Sequence, residues 1–95
     1  MMRTEEFEKM YKDIREEISD LKVEVGMLEI LWPNETDDIS DDFYMLKCDA
    51  DRILDVRENE PKYLWECEAL MLPMIKLYDT RRKKLLGDML ILLKK

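Results

Sequence analysis

TEEFEKMYKDIREEISDLKVEVGMLEILW, Thr4 to Trp32, is the stretch that decides how this chain is read. Its apolar residues fall at Phe7, Tyr11, Ile14, Ile18, Leu21, Val25, Leu28 and Trp32. That alternation of four and three winds one narrow seam along an α-helix. With Phe7, Ile14, Leu21 and Leu28 at d, the β-branched Ile18 and Val25 stand at a, a choice that favours two parallel strands. The seam therefore predicts a long, coiled-coil-like N-terminal helix that pairs with a second copy.

The flanking charges point the same way. In a parallel pair Arg3 meets Glu8, Glu17 meets Lys22 and Glu24 meets Glu29, two attractions against one repulsion. An in-register antiparallel pair sets Glu8 against Glu29, Arg15 against Lys22 and Glu17 against Glu24, all repulsive. Such exposed pairs are worth a few tenths of a kcal/mol each, enough to tip a choice and not to make it. The competing expectation is that the seam packs on later helices of its own chain. A stripe meant for a globular core is usually wider than a strict a/d seam, and up to Leu21 this one is narrow. From Val23 it widens, since Val23, Met27, Ile30 and Leu31 add apolar surface on other sides. The first half thus reads as a dimer seam and the second as a post for the rest of the chain. KVEVGMLEILW also carries a strand-like alternation, and Gly26 costs a helix about 1 kcal/mol relative to alanine.

Ninety-five residues suit one domain. The composition is 46% hydrophobic and 41% charged with two glycines and three prolines, the balance of a helical, well-solvated protein. A globule of this length is roughly 30 Å across, whereas a helix of about 29 residues runs to about 43 Å. The chain is therefore either a rod of long helices or has part of its first helix covered by another chain. Met1 leads directly into charged residues and the longest uncharged apolar run, Ala69 to Ile75, is short for a bilayer. The expectation is a cytoplasmic protein that makes no membrane contact, with Cys48 and Cys67 as reduced thiols.

Beyond Trp32, PNETDDISDD is punctuation. Pro33 ends the first helix, and Ser40 is a good N-cap for a second, with Asp41 and Asp42 suited to the helix dipole. That helix, 40–59, places Phe43, Leu46, Ala50 and Ile53 at helical spacing and stops because Glu60 precedes Pro61. Pro61 can open a third helix, 61–95, apolar on most sides and kinked or split at Pro73. The fold expected is all-α: a long heptad helix plus two or three further helices in a bundle. An α+β alternative turns Met89 to Leu93 into a short strand or hairpin.

The residues offer little chemistry. Without histidine, the commonest general base and the commonest neutral metal ligand are both missing. Two cysteines do not complete a zinc site. Asp49, Asp51 and Glu60 fit three positions of a calcium loop, but Ile53 and Leu54 break the template. Glu5, Glu8, Glu17 and Asp20 are similar to the paired acidic motifs of all-helical nucleotide pyrophosphatases, which hold magnesium between helices; here all four fall on one helix. The two glycines form no phosphate loop, and Thr4, Thr36, Ser40 and Thr80 lack a base to activate them. No catalytic, cofactor or metal residue is assigned, and no enzyme is expected.

Charge is distributed unevenly. The whole chain carries −7, with an isoelectric point near 4.6. Residues 73 to 95 hold seven basic side chains against Asp79 and Asp88, a net +5, which leaves −12 on residues 1 to 72. Arg81, Arg82, Lys83 and Lys84 could contact phosphates of a nucleic acid or neutralise the chain's own acids, such as those of Asp37 to Asp42. The acidic total opposes approach to a polyanion and favours the second role. The same acidity suits an acidic mimic of nucleic acid. Small acidic helical proteins of phages and other mobile elements often block a host machine, an analogy of size and composition alone. Tyr44, Met45 and Trp65 are candidate contacts for a protein partner. The function expected is a homodimeric, non-enzymatic interaction module that inhibits or regulates a larger protein assembly, with a nucleic-acid-binding regulator as the alternative.

Overall fold

The chain forms three α-helices in a computed structural model, which describes the backbone of residues 4–59 and 64–94 and the side chains of residues 5–55 and 72–94. They are α1 (Thr4–Leu31), α2 (Asp37–Asn59) and α3 (Leu64–Leu93), and among the described residues there is no strand. Both strand readings are thereby corrected: Val23 to Leu31 continue α1, and Met89 to Leu93 are the last turns of α3. The alternation around Gly26 is one slice of a helical pattern set by the seam on both sides of it.

The molecule is a rod of 47 × 20 × 18 Å. α2 runs back along α1, and α3 runs back along α2, so α1 and α3 point the same way. α2 is the middle helix, in close backbone contact with both others, whereas α1 and α3 stand farther apart and are bridged by side chains.

The first turn-over is built by local chemistry. The Trp32 carbonyl accepts bonds from the Glu35 backbone N–H (3.1 Å) and the Thr36 hydroxyl (3.1 Å). The Ser40 N–H donates to the Thr36 carbonyl at 2.8 Å, so Thr36, buried, occupies the N-cap of α2. The helix begins a turn before the expected Ser40, and Asp37 and Asp38 supply the acidic first turn. The third helix is not split at Pro73: its ring is exposed and the helix runs on through it, at the cost of one backbone bond. Residues 61–63, where that helix was expected to start, lie outside the described residues, as does Lys95.

One core runs the length of the rod. Phe7, Tyr11, Ile14, Leu21, Val25 and Leu28 of α1 are buried in it with Ile39, Leu46, Ala50 and Ile53 of α2 and Tyr78, Leu85, Met89 and Leu92 of α3. Ile18 and Trp32 pack against it, half-buried. The seam that the heptads assign to a second copy is therefore filled by the chain's own α2 and α3. The physical reason is plain: a 3.5-residue period describes how helices interdigitate, and it is the same whether the neighbour comes from another chain or from the same one.

Candidate protein-interaction surface

Ion pairs tie α3 to the other helices. Arg81 Nη1 donates to Asp49 Oδ2 at 2.8 Å, Arg82 Nε to Glu17 Oε2 at 2.6 Å and Lys84 Nζ to Asp42 Oδ2 at 2.7 Å. Lys83 pairs with Asp79 at 3.0 Å, one turn back on the same helix. Every member of the basic quartet is thus engaged by the chain's own acids, and successive residues of one turn clamp α2, α1 and α2 again. Tyr78 completes the α1 contact by donating its hydroxyl to Glu17 Oε1 at 2.7 Å. Burial and the neighbouring Glu17 carboxylate push the Tyr78 phenol well above its ordinary range. The hydrogen bond to Glu17 raises Arg82, and the bond to Asp42 raises Lys84.

Sequence reasoning found the quartet and missed its partners. A signal for Asp49 was present: it stands at a core-facing position of α2, between Leu46 and Ile53, where a carboxylate is buried only if it is paired. Asp49, placed in the calcium template, is thus turned inward to Arg81. Among the described residues no group of three or more histidine, cysteine, aspartate or glutamate side chains is placed to hold a metal. Cys48 is a half-buried free thiol, and among the described residues no helix is long and apolar enough to cross a membrane.

Because α1 and α3 stand apart, a groove of about 720 Å³ opens between them, walled by Met10, Ile14 and Glu17 on one side and Ile75, Tyr78 and Arg82 on the other. It continues past Asp20 and Glu24 of α1 and Leu86 of α3. Beyond that point the exposed surface of both helices becomes apolar. Val23, Met27, Ile30 and Leu31 of α1 are 58 to 80% exposed, and Leu90, Ile91 and Leu93 of α3 are more than half exposed. The widening of the stripe at Val23 is real, but its extra residues face outward from the rod.

Of the candidate contact residues, Tyr44 and Met45 are exposed on the outer turns of α2, and the Trp65 side chain lies outside the described residues. No protein-family model matches the chain, and no match is found among curated proteins or solved structures.

Proposed function

We infer that the protein is a non-enzymatic interaction module, a small inhibitor or regulator that docks on a larger protein assembly. The observation that carries this reading is the apolar end of the rod, where α1 exposes Val23, Met27, Ile30 and Leu31 in consecutive turns. Scattered exposed apolar residues are ordinary, but a contiguous patch of several hundred Å² marks a contact surface on a soluble protein. In a chain with 41% charged residues, four such side chains on one helical face are not the by-product of composition. The pairing of Arg81, Arg82, Lys83 and Lys84 with acids of the same chain supports a protein partner over a polyanion.

The experiment is affinity capture from nuclease-treated lysate of the source organism or its host at moderate salt, with the native chain and with Val23→Glu/Ile30→Glu compared side by side. Both residues are exposed, so the variant is expected to fold. Stoichiometric partners held by the native chain and lost by the variant are the expected result. An identical set of proteins with both baits would remove the apolar end from the account of function.

A further inference from the structure

The groove between α1 and α3 is bordered by rows that repeat every seven residues. On the outer edge of α1 the row is Asp13, Asp20 and Met27; on the outer edge of α3 it is Lys76, Lys83 and Leu90. Asp13, Asp20 and Lys76 line the groove directly, and the other members follow at two turns each. The inner rows, Glu17, Glu24 and Leu31 against Asp79, Leu86 and Leu93, change in the same direction, polar first and apolar last.

The register of the two helices is fixed by Glu17, which bonds Tyr78 and Arg82, 61 and 65 residues farther along. The midpoint of those separations makes residue 13 level with 76, 20 with 83 and 27 with 90. Each aspartate of the α1 row therefore stands at the height of a lysine of the α3 row, and Met27 at the height of Leu90. Within one chain the groove keeps them apart: Asp13 pairs with Lys9 and Lys83 with Asp79, each on its own helix. Among the described residues Asp20, Glu24 and Lys76 make no side-chain ion pair.

We propose that this face is the interface of a parallel two-fold homodimer, in which the acidic row of each α1 lies on the basic row of the other chain's α3. A two-fold axis parallel to the helices exchanges the two edges without changing height. Asp13 then meets the second copy's Lys76, Asp20 its Lys83 and Met27 its Leu90, each twice, while Leu31 and Leu93 close the apolar end. The alternative axis, across the helices, sets the aspartate rows against each other and the lysine rows likewise, and separates the two apolar ends. The outer rows are complementary to each other under one operation and not the other, as an isologous interface requires. A standard interface takes about 800 Å² per partner, so the apolar side chains of this end and the charged rows must both be covered. The inference rests on the interaction-module reading and uses Met27, Leu31, Leu90 and Leu93, leaving Val23 and Ile30 uncovered for a further partner.

Sedimentation equilibrium of the full chain, from micromolar to near-millimolar concentration, tests it. The expected species is twice the chain mass of 11.6 kDa. Met27→Glu and Leu90→Glu, both on exposed positions, are expected to weaken association at least tenfold with unchanged helical circular dichroism. Lys83→Asp alone is expected to weaken it about tenfold by setting like charges against each other, and Asp20→Lys added to it to restore association. A native chain that stays monomeric throughout overturns the dimer. So does a dimer indifferent to Met27→Glu and Leu90→Glu, or one that Lys83→Asp weakens and Asp20→Lys weakens further. A monomer whose lysate partners are still lost in Val23→Glu/Ile30→Glu leaves the module reading standing without the second copy.

Discussion

Arg81 and Asp49 meet at 2.8 Å across the α2–α3 contact, with the carboxylate side chain 3% exposed and the guanidinium 30% exposed. The pair is asymmetric, and so are its deletions. Arg81→Ala leaves a buried carboxylate unpaired, which costs about 3 to 5 kcal/mol. Asp49→Ala leaves an arginine that water reaches, and its cost is expected to be at most half as large. Urea unfolding of the two variants checks the order; equal losses would mean that Asp49 is satisfied without Arg81.

Tyr78 gives the stability an alkaline limit. Its folded-state phenol ionises above the unfolded value of 10.0, so the folded chain keeps a proton that the unfolded chain gives up. A group raised on folding contributes fully below its unfolded value, and the contribution drains away as pH climbs beyond it. Lys84, raised by Asp42, acts in the same sense. The melting temperature is expected to fall above about pH 10. Tyr78→Phe is expected to be less stable at neutral pH and to lose less over that alkaline range.

Glu17 accepts from both Tyr78 and Arg82 and is a polar link between α1 and α3. Glu17→Ala is expected to cost about 1 to 3 kcal/mol, reduced by the partial exposure of Arg82. The double variant Glu17→Ala/Tyr78→Phe should lose less than the two singles added together, the mark of a shared bond.

Gly26 and Gly87 sit inside helices with open space where a Cβ would stand. Nothing in the fold requires glycine at either place. Gly26→Ala and Gly87→Ala are each expected to stabilise by about 0.5 to 1 kcal/mol. For a chain of this size that is a rise of a few degrees, roughly 4 to 8 °C per kcal/mol, readable by calorimetry.

Leu21, nearly inaccessible, and Ile18, half-buried on the same stripe, separate the two uses of the seam. Leu21→Asp places a charge in the core and is expected to unfold the chain, whereas Ile18→Asp is tolerated at a smaller cost. A folded monomer from Leu21→Asp would return the seam to an interface between chains.

Much of this architecture was legible in the residues. The period of α1 named six of the buried side chains of that helix, because burial is a property of the stripe. It could not name the neighbour, because the same stripe suits any helix. Serine is a strong capping residue, so the residues point to Ser40 as the start of α2; the chain uses Thr36, whose carbonyl begins the helix while its hydroxyl folds back on Trp32. The quartet Arg81 to Lys84 was legible as charge and illegible as geometry. Consecutive residues of a helix point about 100° apart, so one basic run serves three separate contacts. The charged rows of the α1–α3 groove are hidden in the sequence for the opposite reason: their members lie seven apart and come together only through the register between the helices.

The central position of α2 also shapes how the chain comes apart. Each outer helix leans on the middle one and scarcely on the other, like two covers on a spine. Lifting α1 breaks its seam and the Glu17 link while leaving α2 and α3 zipped through Arg81 and Lys84. Amide protons of α1 should then exchange through a partial opening cheaper than global unfolding, and those at the α2–α3 contact should outlast them. Such an opening would bare the apolar stripe of α1, from Phe7 to Leu28, without dissolving the rest of the fold.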